Sequence, residues 1–152
     1  MEKYSNVLSK KDMKILDIIR SNCKLSTREI SEKTGIPITT IHNRIKKMES
    51  DETIKYYKAV IDNKKIGRGI QAYISITCNY KYQEQILKQL TAMQIVEECY
   101  LLTGTNDVLI KVAVNDVEQL NDFIINQVQK MKGIEKTVTS IILKEVPVRT
   151  AI

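Results

Sequence analysis

Residues 26–49 of the chain read STREISEKTGIPITTIHNRIKKME, and this stretch decides the fold of the first part of the molecule. Ser26 and Glu29 fit a capping box, so a helix is predicted to begin at Ser26. The helix ends at Gly35, because glycine readily adopts the left-handed conformation that follows many helices. Apolar residues recur at helical spacing over Ile38–Ser50, which predicts a second helix. Two short helices joined by so tight a glycine turn predict a helix-turn-helix.

The second of these helices carries the side chains expected to face DNA. In a helix-turn-helix this helix lies in the major groove, where its exposed residues meet base edges and phosphates. Arg44 suits a guanine and Asn43 an adenine, because each side chain can form paired hydrogen bonds with that base. The predicted DNA-contacting residues are Thr39, Thr40, His42, Asn43, Arg44, Lys46 and Lys47, together with Arg28 on the preceding helix.

Segments on either side of this motif complete the predicted first domain, residues 1–62. Upstream, Ser9 and Asp12 fit another capping box, so a helix is predicted over Ser9–Asn22. Downstream, Thr53–Asp62 is rich in β-branched and aromatic residues, which predicts an extended segment or strand. Residues 63–69 combine turn formers, a run of basic residues and two glycines, so they are interpreted as a linker.

The remaining residues, 70–152, alternate between strand and helix patterns and form the predicted second domain. Their order is β-α-β-β-α-β, which predicts a ferredoxin-like α+β fold with helices on one face of an antiparallel sheet. The other face is expected to be apolar and covered by a partner, so a dimer is predicted. Strands are predicted over 70–79, 96–103, 107–114 and 134–146, and helices over 83–93 and 117–132.

The distribution of charge assigns nucleic acid to the first half. Residues 1–68 hold sixteen basic and nine acidic residues, whereas residues 69–152 hold eight and nine. A basic half beside a near-neutral half indicates that the two halves have different partners. No apolar run is long enough for a membrane span, and no secretion signal is visible, so a cytoplasmic location is expected. The three scattered cysteines and one histidine predict neither a metal site nor a cofactor.

A short loop in the second half has two interpretations. Glycine, asparagine and aspartate are turn formers, so the loop is a candidate hairpin turn. A glycine that allows close approach, followed by a carboxylate, is also suited to receive a ligand's ammonium group. The candidate effector-binding residues are Thr103, Gly104, Thr105, Asn106 and Asp107.

From Leu8 to Val146 the chain resembles the Lrp/AsnC regulators, also called feast/famine regulators. The resemblance implies a winged helix-turn-helix followed by an effector-binding ferredoxin-like domain. It also implies dimers that often assemble into octamers and a small-molecule effector, frequently an amino acid, bound between dimers near Gly104 and Asp107. The resemblance is carried by LSKKDMKIL at 8–16, EISEKTGI at 29–36, TIHNRIKKME at 40–49, IKYYKA at 54–59, TGTNDVL at 103–109 and KGI at 132–134.

The chain departs from the family pattern at four positions. Pro37 stands where the family often has serine, so the side-chain cap of the recognition helix is lost. Glu52 and Tyr56 replace glycines, which is expected to change the turn geometry. Asn106 replaces an aromatic residue in the effector loop, which bears on the class of ligand.

The function predicted from these features is sequence-specific binding of double-stranded DNA by a transcription regulator modulated by a small molecule. A non-specific architectural protein that coats DNA is the first alternative. The second is an enzyme resembling tetrapyrrole decarboxylases, some of which share this pair of domains. Because residues 69–152 contain no histidine and only Arg149 among arginines, an enzyme is not expected.

Overall fold

Three helices make up the first of two units in the structure, a computed structural model that describes residues 8–146. They are α1 (Lys10–Ser21), α2 (Thr27–Thr34) and α3 (Ile38–Ser50). Both predicted capping boxes are present, at Ser9 and at Ser26. Gly35, with φ 69°, ends α2 in the left-handed conformation. The three helices predicted from the sequence are therefore confirmed.

Isoleucine dominates the core of this first unit, which extends to Val60. Each helix contributes one apolar face, and burial of these faces drives the packing without imposing a direction. Met13 of α1, by contrast, is 44% exposed and does not belong to this core. The buried residues of this core are Ile15, Ile19, Ile30, Ile36, Ile41 and Met48.

After α3 the chain makes a tight turn. The backbone N–H of Ile54 donates to the Met48 carbonyl at 2.8 Å, and Glu52 adopts a φ of 59°. The strand considered for 53–62 is not formed, because no strand among residues 8–146 pairs with residues 55–62. Glu52 holds the left-handed conformation that glycine adopts most readily, at a strain of about 1–2 kcal/mol.

The second unit, Ile61–Val146, is built on an antiparallel sheet. Its strands are β1 (Ile70–Cys78), β2 (Val96–Leu101), β3 (Val108–Val114) and β4 (Ile134–Ile141). They lie in the order β2-β3-β1-β4. β4 ends at Ile141 rather than at the predicted Val146, because its pairing with β1, its neighbour in the sheet, goes no further than the Ala72–Ile141 pair.

Two helical segments cover one face of this sheet. They are α4 (Gln83–Thr91) and α5 (Val117–Asp122), and α5 continues as a π-helix over Phe123–Val128. The resulting order, β-α-β-β-α-β, confirms the predicted ferredoxin-like fold. Within residues 8–146, every helix is too short or too polar to span a membrane.

Successive side chains of a strand point to opposite faces of the sheet, and the two faces differ in composition. Ala72, Ile74 and Ile76 of β1 are fully buried beneath the helices. The opposite face, expected to be apolar, is mixed. Tyr73 stands between Lys111 of β3 and Ser140 of β4 there, although Leu109 and Val138 add apolar surface.

Gly133 turns the chain into β4 against the side of Tyr82. Its φ is 94°, and a Cβ atom added to it would lie 2.5 Å from Tyr82 Cδ2. The Gly133 carbonyl accepts from the backbone N–H of Asn79 at 2.8 Å, which ties this turn to the end of β1. Both conformation and space therefore require glycine at this position.

Replacement of Gly133 by alanine is expected to destabilise the second unit more than replacement of Gly67. Gly67 has a similar φ of 80° but open space around it, so Gly67→Ala should cost only the strain of about 1–2 kcal/mol. Gly133→Ala adds the clash with Tyr82, on the order of 1–3 kcal/mol more. Urea denaturation of both variants measures the difference, and equal losses of unfolding free energy would contradict a steric role for Tyr82.

Candidate DNA-binding surface and ligand loop

Hydroxyl groups on α2 hold the turn that leads into α3. Ser31 Oγ donates to the Ile36 carbonyl at 2.6 Å, and Thr34 Oγ1 accepts from the Ile36 backbone N–H at 3.2 Å. Pro37 provides no side-chain cap, as predicted from its lack of a side-chain oxygen. The Pro37 carbonyl nevertheless accepts from the Ile41 N–H at 3.0 Å, which starts the helix. Ser31 and Thr34 thus fix the turn before α3, a role that no pattern in the sequence had indicated.

The exposed face of α3 carries most of the predicted DNA-contacting residues. Ile41 and Met48 are buried on the opposite face, and Thr40 is half-buried between the two. No acidic residue precedes Glu49 on this helix. The exposed face therefore offers hydrogen-bonding groups and positive charge together. It consists of Thr39, His42, Asn43, Lys46 and Lys47.

Arg44 lies apart from this exposed face because its guanidinium is bound to α1. Its Nη1 donates to Asp12 Oδ1 at 2.7 Å and to Ser9 Oγ at 2.9 Å. The side chains of Arg44 and Asp12 are only 33% and 13% exposed. The geometry thus gives Arg44 an internal partner in place of the free guanidinium that the predicted guanine contact requires.

The environment of Asp12 favours its charged form. Burial raises the pKa of Asp12, but hydrogen bonds from Ser9 and the nearby Arg44 guanidinium outweigh burial and hold the pKa below its ordinary value. The carboxylate is therefore ionised at neutral pH, and the ion pair with Arg44 is complete there.

Arg28 stands on the exposed surface of α2. Its Nε lies 3.3 Å from Glu32 Oε1, and the two side chains are 81% and 66% exposed. An exposed pair of this kind contributes little stability, so the guanidinium can exchange this partner for a phosphate at small cost. Among residues 8–146, Arg28 forms no hydrogen bond with the predicted DNA-contacting residues of α3.

The loop between β2 and β3 is a hairpin, which confirms the turn interpretation. Asp107 Oδ2 accepts from the Cys78 backbone N–H at 2.8 Å, at the point where the register of β1 and β4 shifts. The Asp107 backbone N–H donates to the Ile76 carbonyl at 2.9 Å. One carboxylate oxygen of Asp107 thus binds the sheet itself. Burial, followed by this carboxylate, raises the pKa of the Cys78 thiol.

The other candidate effector residues lie around this anchor. Thr103, Gly104 and Thr105 are exposed, and Asn106 is half-buried. Gly104 has a φ of 119° with open space beside it, which favours glycine without indicating a ligand. The structure therefore groups the five candidate residues on one hairpin, and their role in binding an effector stays a prediction.

Tyr57 is a residue of the first unit that sequence reasoning missed. Its hydroxyl donates to Glu49 Oε1 at 2.8 Å, and burial together with this carboxylate raises the pKa of Tyr57 to about 12. The bond holds the segment after α3 against the end of that helix. This segment and the end of α1 line a cavity of about 780 Å³. No local sequence pattern predicts the contact between Tyr57 and Glu49, because Glu49 belongs to α3 and Tyr57 to the segment after it.

Comparison with known families assigns both units. Residues 8–55 match the family described as winged helix-turn-helix DNA-binding. Residues 71–152 match the family described as Lrp/AsnC ligand binding domain. The two matches cover the helices of the first unit and the sheet of the second.

Similar proteins agree with this assignment. The chain is 33% identical to the HTH-type transcriptional regulator FL11 of Pyrococcus furiosus, over 91% of each chain. It is similar to the structure of Escherichia coli AsnC, with a TM-score of 0.83, 27% identity and coverage of 95% of this chain and 98% of that one. A transcriptional regulator from Neisseria meningitidis, in complex with L-Met, shares the fold with a TM-score of 0.88 at 24% identity, over 96% of each chain. The chain therefore belongs to the Lrp/AsnC family of DNA-binding transcriptional regulators, with a ligand-binding second domain.

Proposed function

We propose that the chain recognises specific sites on double-stranded DNA through the exposed face of α3. The observation that carries this proposal is the exposure of Asn43 beside Lys46 and Lys47 on a helix with no acid before Glu49. Asn43, with Thr39 and His42 nearby, reads base edges, since an amide can pair with adenine. The two lysines, with Arg28 on α2, bind phosphates and set the affinity common to all sequences. Thr40, half-buried, contacts DNA from the margin of this face.

Arg44 has a different task in this proposal. Its ion pair with Asp12 holds α3 at a set angle to α1, so that the exposed face is presented to the groove. Arg44 is thus a positioning residue, and base reading is left to the side chains of the exposed face, Asn43 above all.

The unit that acts on DNA is a homodimer. One helix-turn-helix addresses one half-site, and two copies related by a twofold axis address a palindromic site with half-site centres about 34 Å apart. The mixed face of the sheet, with Tyr73, Leu109 and Val138, is the surface proposed for this pairing. Further assembly to octamers is proposed by family likeness alone.

A small molecule, such as an amino acid, modulates this binding through the second domain. The Neisseria regulator of the same fold forms a complex with L-Met, and the hairpin Thr103–Asp107 is the site proposed here. We assign the protein no enzymatic activity, since the relatives compared are regulators. We propose the cytoplasm as its location, as expected of a DNA-binding regulator of this family.

Asn43→Ala and Lys47→Ala are expected to weaken DNA binding in different ways. Asn43→Ala removes a base contact, so discrimination between the selected site and a shuffled duplex should fall by about 1–3 kcal/mol. Lys47→Ala removes a phosphate contact, so affinity for both duplexes should fall together and the salt slope should decrease by about one.

The measurement is fluorescence anisotropy with both duplexes over a series of salt concentrations, using a site selected from random sequences. Lys136→Ala serves as the control, because Lys136 is an exposed lysine of β4 in the other domain. Footprinting on a longer duplex that contains the selected site is a second measurement. Protection without discrete boundaries would indicate a protein that coats DNA and would refute sequence-specific recognition.

Asp12→Asn is expected to reproduce the loss of DNA affinity caused by Arg44→Ala. Both substitutions break the contact between α1 and α3, and leaving a half-buried charge without its partner costs on the order of 1–3 kcal/mol of stability. Asp12→Asn also removes a negative charge, so a purely electrostatic effect would strengthen DNA binding. Unchanged or tighter binding by Asp12→Asn, with weaker binding by Arg44→Ala, would instead make Arg44 a direct DNA contact.

The stability that Asp12 contributes is expected to depend on pH in the acid range. Because the pKa of Asp12 is lowered by folding, its contribution is complete above the ordinary aspartate pKa of 3.8 and is lost as the pH falls through the lowered value. The difference in unfolding free energy between the native chain and Asp12→Asn should therefore shrink on acidification. Urea denaturation between neutral and acid pH measures this difference, and a constant difference would contradict the lowered pKa.

A further inference from the structure

The segment interpreted as a linker is an ordered turn that places Arg68. Residues Asn63–Ile66 form one turn of 3₁₀ helix, which Asp62 starts by accepting the Lys64 backbone N–H at 3.1 Å. The Arg68 backbone N–H donates to the Asn63 carbonyl at 2.8 Å. Gly67, in the left-handed conformation, allows this return of the chain.

A side-chain hydrogen bond attaches this turn to the sheet. Asn63 Nδ2 donates to Glu97 Oε1 at 2.9 Å, and Glu97 belongs to β2. This bond fixes the distance between the turn and the start of β2, and so it fixes the position of the Arg68 backbone relative to both. The same bond engages the carboxylate of Glu97 with an amide.

Arg68 lines a cavity of about 460 Å³ whose polar walls are amides. No residue that lines this cavity carries a carboxylate. Gln119 is held there, because its Oε1 accepts from the Asn115 backbone N–H at 2.8 Å. Ile95 is one of the apolar wall residues. The amide-bearing residues are Gln94, Asn115, Gln119 and Gln127.

The guanidinium of Arg68 has no counter-ion in this cavity. Within residues 8–146, its side chain forms neither an ion pair nor a hydrogen bond, yet the residue is half-buried. Arginine keeps its charge in proteins, and a charge withdrawn from water is normally paired. Within the same residues, the basic side chains that form ion pairs, those of Arg28, Arg44 and Lys111, each lie within 3.3 Å of a carboxylate oxygen. Arg68 thus contributes an unpaired positive charge to the lining of this cavity.

A second cavity adjoins the first and extends its positive charge. It has a volume of about 520 Å³, shares Met93 and Gln127 with the first, and is likewise lined by no acidic residue. Lys130 and Lys132 line it. Lys130 Nζ donates to Asn126 Oδ1 at 2.8 Å, and Lys132 Nζ lies 5.0 Å from the centre of the Tyr82 ring. Both lysines have neutral partners, so their charge is available to a ligand.

We propose that these adjoining cavities bind a small dicarboxylate, at a site separate from the Thr103–Asp107 hairpin. One carboxylate pairs with Arg68, because a guanidinium bonds a planar carboxylate through two parallel hydrogen bonds. The second carboxylate lies toward Lys130 and Lys132, and the amides bond the remaining polar groups. Apolar walls such as Met93 and Ile95 contact the carbon chain. This site is additional to the effector site proposed above for the hairpin, and it takes a ligand with two carboxylates.

The test is isothermal titration of the full chain with L-glutamate and succinate, and with L-leucine, L-methionine and inorganic phosphate for comparison. We expect the dicarboxylates to bind at least about tenfold more tightly than the other three probes, as loss of a charged hydrogen bond implies. Arg68→Gln should weaken dicarboxylate binding by about tenfold or more. Lys65→Gln, an exposed cation on the same turn that lines neither cavity, should leave binding unchanged.

Several results would overturn the site. They are no detectable dicarboxylate binding, equal binding of phosphate or L-leucine, and binding that survives Arg68→Gln. A change of oligomeric state by Arg68→Gln in sedimentation velocity would also overturn it, because Arg68 would then serve an interface. Loss of dicarboxylate binding in Thr105→Ala would overturn it as well, because the ligand would then lie in the hairpin.

Duplex binding separates this proposal from the proposed function. If the chain binds its DNA site but no dicarboxylate, the Arg68 site is refuted and the regulator is not. If it binds dicarboxylates but no DNA site, the proposed recognition by α3 is refuted and the Arg68 site is supported. Arg68→Gln without ligand should bind DNA as the native chain does.

Discussion

The Nη1 atom of Arg44, bonded to both Asp12 and Ser9, is the constraint on which the orientation of α3 depends. Ser9 and Asp12 also form the capping box that starts α1. The same two side chains therefore begin one helix and hold another. Apolar packing of Ile15 and Ile41 brings the helices together, but burial alone is not directional. The charged hydrogen bond supplies the direction, because its strength falls steeply with misalignment.

Much of this fold is predictable because its signals are local. A capping box spans four residues, and a helix-ending glycine is adjacent to the helix, so the bounds of α2 and α3 follow from short windows of sequence. The faces of β1 likewise follow from strict alternation. The strand considered for Thr53–Asp62 does not form, because a strand requires a neighbouring strand and the local sequence pattern does not specify one.

The candidate sites were harder to predict because their contacts are distant in sequence. Asp12 and Arg44 are 32 residues apart, and Asp107 lies 29 residues from Cys78. From sequence, Arg44 and Asp107 are each a charged residue at a suggestive position. In the structure, the side chains of both residues form hydrogen bonds with other residues of the chain. The residues free for other partners, such as Asn43, are recognised only once these internal contacts have been assigned.

Internal pairing therefore divides the basic residues of the described chain into two groups with different consequences. Lys111 is paired with Glu145 at 3.3 Å; burial lowers the pKa of Lys111, but this contact outweighs burial and the pKa is raised. A cation satisfied in this way stabilises the fold and has little left to offer a partner. Lys46 and Lys47 on α3, and Arg68 in its cavity, have no carboxylate within ion-pairing distance among residues 8–146. The exposed pair faces solvent, where a long polyanion can reach both lysines, whereas the half-buried Arg68 admits only a small anion. The shape around an unpaired charge thus determines its class of partner.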